Sequence, residues 1–396
     1  AEDAAEEAAK AAEDAAEEQA QAEQEAAEDA ADAAHDAERM AGAAGLREIA
    51  APERPELDRE GYPVRRGEVV GLDLPSHTRE AALARGFTVV ESTRLEAIDA
   101  VVTRLAAPAG MSANEALAAL RAIDPAATVD VAHYYGLHYG TSGGRSARVG
   151  LAVTAGSSGR RGPPVRVGMI DTGVAAHPAL NGVTVEAREF TPAAAADTGH
   201  GTAVASLLAR DGATQIVAAN VFRGDATRHF TSADAIIRGL AWLSEADVPV
   251  INISLAGPRN LILDRLIARV VARGHIVVAA AGNGGPAAPP AYPAALPNVV
   301  AVTAVDSRNR VYRYANRGAY VLVAARGVAV PAAAPGGRLG AYTGTSFAAP
   351  HVAAVLARCA RRVRPSNSAC VANMARQAVD LGDPGRDPVY GLGLIR

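Results

Sequence analysis

Three short segments of this sequence carry side chains that could act together as nucleophile, base and acid. Ser346 lies at the start of an alanine-rich segment with helical spacing, where free backbone N–H groups favour a developing negative charge. His200 lies between two glycines at the start of a second such segment, and Asp171 follows an apolar run typical of a buried parallel strand. The imidazole could take the serine proton while the carboxylate fixes the imidazole tautomer. The three segments therefore predict nucleophilic catalysis.

A fourth group completes the chemistry that such a serine needs. Asn283 follows the apolar run 276–281, and its side-chain amide could donate to an oxyanion. Each segment alone has a structural interpretation: a strand-end turn at Asp171, a satisfied histidine at His200, a turn signal at Asn283 and an ordinary helix cap at Ser346. Their joint occurrence, on the kinds of element that suit them, favours an active site.

In these four segments the chain resembles the subtilisin-like serine proteases, the subtilases. The resemblance runs from about Val165 to the C-terminus, and it implies that Asp171, His200 and Ser346 form the catalytic triad with Asn283 in the oxyanion hole. It also implies two substrate-binding segments, a strand that pairs with the substrate backbone and a wall of the primary specificity pocket. These are Ser254, Leu255, Ala256 and Gly257, and Ala280, Ala281 and Gly282, respectively.

The fold implied by this resemblance is α/β, with a mainly parallel sheet between helices over residues 136–396. We expect the strands ending at Ile170, Leu255 and Ala281 to be parallel neighbours in it. The chain departs from the family pattern at one turn. Where the family usually carries Ala-Pro-Gly, this chain has Ala325-Arg326-Gly327. We interpret it as a changed loop away from the chemistry.

Composition indicates a chain of more than one domain with an uneven charge. The 396 residues are 49% hydrophobic, and no apolar run approaches the length of a membrane span. Residues 1–45 hold 15 acidic and 2 basic groups, a net charge of −13. High helix propensity with few large apolar side chains favours a solvated acidic helix there, partly frayed, and docking on a basic surface is the alternative.

Between the acidic segment and the subtilase-like part, residues 46–135 have the pattern βαββαβ. The predicted elements are strands at 67–74, 87–92, 98–105 and 128–134 and helices at 76–85 and 112–123. This pattern indicates a small ferredoxin-like α+β domain. Its position before a subtilase-like part makes it look like the family's propeptide, an intramolecular chaperone and inhibitor, rather than an unrelated accessory domain.

If this domain is a propeptide, its last strand has a defined task. We expect residues 129–135 to run extended toward Ser346 and to add a strand beside Ser254, Leu255 and Ala256. Tyr134 or Tyr135 would then fill the primary pocket, and autocleavage would fall near Tyr135-Gly136. The two cysteines, Cys359 and Cys370, are consistent either with a disulfide or with two buried thiols.

The sequence thus predicts a serine endopeptidase made as a zymogen, acting on protein or peptide substrates through an acyl-enzyme. No cofactor is required for this chemistry, while structural calcium stays open. A catalytically silent binding or assembly protein on the same fold is the alternative, and the intact four-residue set argues against it. The absence of methionine at position 1 and the zymogen order favour export, to the exterior or the periplasm. No nucleic-acid partner and no membrane span are expected.

Overall fold

A computed structural model of the chain describes residues 55–137, 140–141, 164–191, 198–225, 228–362, 364 and 367–396. The acidic segment 1–45, for which we expected a helix, lies outside these residues. In the part of the chain that is described, no helix combines the length and apolar character needed to cross a membrane.

The N-terminal domain has the predicted βαββαβ order. Its elements are β1 (Glu56–Leu57), β2 (Pro63–Leu72), α1 (Ser76–Ala84), β3 (Thr88–Leu95), β4 (Ala100–Ala106), α2 (Ala113–Ile123) and β5 (Thr128–Gly136). Helix α2 begins with a capping box in which Ser112 and Glu115 satisfy each other's backbone N–H groups. The four long strands are antiparallel in the order β5-β2-β4-β3, the ferredoxin-like arrangement that the sequence predicts.

The C-terminal part is built on a seven-stranded sheet in which every neighbouring pair is parallel. Its strands are β7 (Arg166–Asp171), β8 (Thr184–Glu189), β9 (Gln215–Asn220), β12 (Val250–Ile253), β13 (Ile276–Ala280), β14 (Val299–Val305) and β15 (Val323–Arg326). They follow the order β15-β14-β13-β12-β7-β9-β8. The expectation that the strands ending near Ile170, Leu255 and Ala281 are parallel neighbours is confirmed, because these are β7, β12 and β13.

Helices cover both faces of this sheet. They are α3 (Gly199–Arg210), α4 (Ala233–Glu245), α5 (Leu261–Ala272), α6 (Thr345–Cys359) and α7 (Ser368–Arg376). The core on one face packs α3 and α6 against Val167, Met169 and Val250, while α4 and α5 pack on the other face. The two helices that begin at the predicted base and at the predicted nucleophile, α3 and α6, therefore pack on the same face of the sheet. A disulfide between Cys359 and Cys370 joins α6 to α7.

The remaining strands link the two parts of the chain. They are β6 (Gly140–Thr141), β10 (Arg223–Asp225), β11 (Arg228–Ser232), β16 (Val330–Ala334) and β17 (Arg338–Thr343). Strand β11 extends the N-terminal sheet by pairing antiparallel with the end of β5. Strand β6 pairs antiparallel with β17, through Thr141 with Tyr342 and Gly140 with Thr343.

Direct polar contacts join the N-terminal domain to α5. The side-chain amide of Asn260 donates to the carbonyl of Val131 at 3.0 Å, and the backbone N–H of Leu261 donates to the carboxylate of Asp130 at 2.7 Å. Asp130 thus takes one of the free N–H groups at the start of α5, where the helix dipole favours an anion. Arg269, two turns further along α5, forms an ion pair with Asp73.

Candidate active site

Asp171 and His200 form a buried pair between the end of β7 and the start of α3. Nδ1 of His200 lies 2.6 Å from Oδ1 of Asp171, and both side chains are fully buried. The same carboxylate oxygen accepts from the N–H of Thr172 at 2.7 Å. This contact sets the tautomer: with Nδ1 donating to the carboxylate, Nε2 is the nitrogen that can accept a proton.

The sequence also explains how α3 approaches β7 so closely. The backbone N–H of Gly201 donates to the hydroxyl of Thr172 at 2.8 Å, which ties the first turn of α3 to the end of the strand. A Cβ at position 201 would lie 2.4 Å from the carbonyl oxygen of Thr172. Only glycine is accommodated there without movement of the backbone, so the glycine that follows His200 is needed to seat the imidazole beside Asp171.

Ser346 is the second residue of α6 and is 4% exposed. The neighbouring Phe347 ring lies against the His200 ring with a centroid distance of 5.1 Å, so His200 packs beside the helix start that carries Ser346. The Ser346 hydroxyl donates to the carbonyl oxygen of Ser254 at 3.2 Å. Because a hydroxyl has one proton, this O–H must turn away from the Ser254 carbonyl before it can be donated to any other acceptor.

Asn283 lies beside the same helix start. Its Oδ1 accepts from the backbone N–H of Thr345 at 3.0 Å and from the Thr345 hydroxyl at 2.9 Å. A Cβ added to Gly344, the residue before Thr345, would lie 3.0 Å from Nδ2 of Asn283. The amide N–H groups therefore face the backbone just before Ser346, a position suited to an oxyanion formed by attack of that serine.

The segment 254–257 is buried at its first two residues and partly buried at the next two, and another part of this chain already pairs with it. Gly136, at the end of β5, forms an isolated antiparallel bridge with Ala256. The Tyr135 ring lies over Gly257, where a Cβ would approach it to 2.2 Å, and its hydroxyl donates to the carbonyl of Pro258 at 3.1 Å. The predicted edge for backbone pairing is thus occupied by this chain's own residues, at one position.

Two parts of the expectation for β5 were wrong. Among the described residues, 128–131 and 133 pair with β2 and 134–136 pair with β11, and the backbone bridge to the 254–256 segment is at Gly136. Tyr134 packs edge-on against Phe230, and the neighbours of Tyr135 are Gly257 and Pro258. Pairing with β11 fixes the backbone of residues 134–136, and in this register the Tyr135 ring lies over Gly257.

The second predicted substrate-binding segment, residues 280–282, is contacted by side chains from neighbouring loops. The hydroxyl of Tyr320 donates to the carbonyl of Ala281 at 2.8 Å. A Cβ on Gly282, which has a φ of +107°, would lie 2.9 Å from both Ala291 and Asn316. Burial raises the pKa of Tyr320, which keeps this hydroxyl a donor at ordinary pH.

The interpretation of Ala325-Arg326-Gly327 as remote from the chemistry was also wrong. Gly327 accepts from the N–H of Gly344 at 2.8 Å, and a Cβ on Gly327 would lie 2.9 Å from Ala348. The turn therefore supports the backbone that leads into Ser346. Spacing along the chain gave no indication of this contact, which depends on β15 and α6 being adjacent in space.

Comparisons with known proteins agree with the geometry. The sequence profile described as "Subtilase family" (Peptidase_S8) matches residues 162–393, more than half of the chain. The chain belongs to the subtilase family. It is a subtilisin-like serine endopeptidase, and the match includes all four predicted catalytic positions.

Individual relatives of this subtilase are similar over the same region. Subtilisin DY of Bacillus licheniformis is 36% identical over 256 residues, which cover 60% of this chain and 91% of that protein. Subtilisin BL of Lederbergia lenta is 31% identical over 259 residues, covering 62% of this chain and 93% of its own.

Among solved structures, fervidolysin from Fervidobacterium pennivorans, described as a keratinolytic enzyme related to subtilisin, superposes with a TM-score of 0.67 at 22% identity. The superposition covers 86% of this chain and 61% of that one, more of this chain than residues 164–396 alone could supply. The likeness in fold thus extends into the N-terminal part of this subtilase.

Proposed function

We propose that this subtilase hydrolyses peptide bonds by an Asp171-His200-Ser346 triad and that it is made as a zymogen. The observation that carries the proposal is the buried 2.6 Å contact between Asp171 and His200, together with the packing of the His200 ring against Phe347, the residue after Ser346. Ser346 attacks the substrate carbonyl after giving its proton to Nε2 of His200, and Asp171 stabilises the imidazolium. Asn283 donates to the oxyanion, and His200 then protonates the leaving amine, which leaves the acyl group on Ser346. Water, giving a proton to His200, attacks this ester, and His200 returns the proton to Ser346 as the acid product leaves. This sequence of proton transfers requires no cofactor.

The residues that we propose to bind substrate are those named from the family resemblance. An extended peptide would pair with Ser254, Leu255, Ala256 and Gly257, as Gly136 does with Ala256. Ala280, Ala281 and Gly282 would form the facing wall of the primary pocket.

We propose that the N-terminal domain, which ends at β5, inhibits the enzyme from within the same chain. Two described contacts bracket the nucleophile: Gly136 pairs with Ala256, two residues after Ser254, and Gly140 pairs with Thr343, three residues before Ser346. The chain thus enters along one substrate-binding edge and leaves along another strand. We propose that autocleavage falls between Leu137 and Gly140, a few residues later than the sequence alone suggested.

We propose that this enzyme works in an oxidising environment, outside the cell or in the periplasm. The Cys359–Cys370 disulfide supports this, since such bonds persist mainly in those compartments.

Incubation with casein and with a fluorophosphonate probe tests the proposed function. Wild-type protein should hydrolyse casein and be labelled once, while Ser346→Ala should fold and do neither. Labelling that persists in Ser346→Ala, or wild-type protein that neither cleaves casein nor is labelled, would refute it. The second outcome would favour a catalytically silent binding protein.

A further inference from the structure

The helix that carries the nucleophile has a break in its hydrogen bonding at the nucleophile itself. Pro350 lies inside α6, four residues after Ser346. In an α-helix the carbonyl of each residue accepts from the N–H four residues later, and proline has no N–H. The carbonyl oxygen of Ser346 is therefore deprived of its helical donor by the sequence.

A side chain from the central sheet supplies a replacement. The hydroxyl of Ser254 donates to the carbonyl oxygen of Ser346 at 3.0 Å, across 92 positions of sequence. The side-chain amide of Asn252 in turn donates to the Ser254 hydroxyl at 2.8 Å. Asn252 and Ser254 are 0% exposed, so water does not compete for either bond.

Ser254 and Ser346 are thus joined by two hydrogen bonds of opposite direction. The Ser254 hydroxyl donates to the Ser346 carbonyl, and the Ser346 hydroxyl donates to the Ser254 carbonyl at 3.2 Å. The first holds the backbone of the nucleophile and persists when the Ser346 hydroxyl directs its proton toward His200. The second must break for that proton to be given to His200.

The placement of Asn252 is costly unless it serves this contact. It lies in β12 between strands that are otherwise apolar at this level, and it pairs with Met169 of β7 and Val278 of β13. A buried amide is unfavourable without hydrogen bonds. In β12 its side chain shares the face of Val250, against which α6 packs.

We propose that Asn252 and Ser254 are positioning residues that hold the backbone of the nucleophile through the carbonyl that Pro350 leaves open. This inference rests on the proposed role of Ser346. It assigns a function to the side chain of Ser254, in addition to the backbone pairing proposed for that segment. It predicts a loss in turnover rather than in substrate binding, since the contact is on the enzyme side of the reacting bond.

Kinetics with a tetrapeptide p-nitroanilide, on protein matured to the same N-terminus, test the proposal. Ser254→Ala should lower kcat about tenfold, equal to about 1.4 kcal/mol, with KM within about twofold of wild type. Adding Pro350→Ala should rescue it, because residue 350 then has an N–H for the Ser346 carbonyl. We expect the double variant to recover to within about threefold of wild-type kcat.

Thr303→Val is the matched control. Thr303 is also 0% exposed and lies in the same sheet, in β14, but its side chain is on the opposite face from α6. Its loss should leave kcat and KM unchanged. Asn252→Ala supplies a second route: its effect on kcat and that of Ser254→Ala should be far from additive, because one acts through the other.

The outcomes separate this inference from the proposed function. A rise in KM at constant kcat in Ser254→Ala, no rescue by Pro350→Ala, or additivity with Asn252→Ala would overturn it. If wild-type protein carries the fluorophosphonate on Ser346 while Ser254→Ala turns over normally, only the positioning role fails. If wild-type protein is not labelled, the proposed function fails and this inference with it.

Discussion

The side-chain oxygen of Asn283 accepts hydrogen bonds from both polar groups of Thr345, the backbone N–H at 3.0 Å and the hydroxyl at 2.9 Å. The hydroxyl of Thr345 also accepts from the N–H of Gly282 at 3.2 Å. Thr345 therefore fixes which way the Asn283 amide faces before any substrate arrives. Such preorganisation is what makes a donor effective for a developing oxyanion.

This relationship predicts a graded effect on turnover. Asn283→Ala should lower kcat by about 100-fold or more, the magnitude measured for the same kind of donor in subtilisin, with little change in KM. Thr345→Val should cost less, about tenfold, because the amide is retained but no longer oriented by the hydroxyl. Steady-state kinetics on a peptide anilide measure both. An effect of Asn283→Ala on KM alone would remove that residue from the oxyanion hole.

The position of autocleavage is a second prediction. Because Gly136 pairs with Ala256 in the proposed substrate-binding segment and Gly140 pairs with Thr343 shortly before Ser346, the mature enzyme should begin at residue 138, 139 or 140. N-terminal sequencing of active protein measures this, with Ser346→Ala as the control that should stay at full length. A mature start at Gly136 would instead support cleavage at Tyr135-Gly136, as the sequence alone predicts. A start elsewhere would contradict both positions.

Inhibition by the N-terminal domain should depend on Asp234, at the start of α4. Asp234 is 7% exposed, with Arg65 at 3.8 Å and Arg238 at 3.1 Å. Burial by itself would raise the pKa of Asp234, but Arg65, Ser232, Arg238 and Arg104 together lower it. Two of these arginines, Arg65 and Arg104, belong to the N-terminal domain.

Removing this charge takes away the acidic partner of the partly buried Arg65, which belongs to the N-terminal domain. Asp234→Asn should therefore shorten the lag before casein hydrolysis by at least about tenfold, because the cleaved domain dissociates sooner. Asp247→Asn, an exposed change of the same charge just beyond α4, is the matched control. An unchanged lag in Asp234→Asn, or an equal shortening in the control, would show that this charge does not hold the inhibitor.

A pH-dependent contribution to stability is expected where α3 meets α6. Asp211, at the end of α3, lies 2.9 Å from Nδ1 of His351 in α6. Burial by itself would raise the pKa of Asp211, but the His351 hydrogen bond and the charge of Arg210 bring it below its usual range. A lowered folded-state pKa gives stability that is present above the unfolded value, about 3.9, and is lost as the pH falls through the folded one.

Asp211→Asn should thus lower the thermal midpoint by a few degrees at pH 7, with the difference vanishing at pH values below the folded pKa. Thermal unfolding in a Ser346→Ala background, which prevents self-digestion, measures this. Asp383→Asn, an exposed change of the same charge, should have no effect. A destabilisation that is constant down to low pH would mean that packing rather than charge is responsible.

The sequence was sufficient for the main elements and for placing the candidate catalytic residues at their ends. Asp171, His200 and Ser346 stand at strand and helix ends that apolar periodicity identifies, and the family resemblance then assigns their roles. The βαββαβ order of the N-terminal domain followed from alternation and from the Ser112 cap. The structure altered its strand ends by a few residues.

What the sequence could not supply were contacts that depend on which elements are neighbours. The pairing of β5 with β11 moved Tyr135 onto Gly257, and no pattern in either segment specifies that register. Gly327 lies next to Gly344 only because β15 and α6 meet in the fold. The partners of Asn252 and Ser254 were equally hidden, although Pro350, four residues after Ser346, is a signal for an open carbonyl.

Ser346 is, in the function proposed above, a nucleophile activated by the His200–Asp171 pair. The most direct test of this claim is to react wild type and Asp171→Asn, both matured to the same N-terminus, with a fluorophosphonate, digest each protein and identify the modified residue by mass spectrometry. We predict a single adduct on Ser346 in wild type and labelling slowed by at least about 1000-fold in Asp171→Asn, since the imidazole loses its tautomer. An adduct on another residue, or equal rates in the two proteins, would contradict this account.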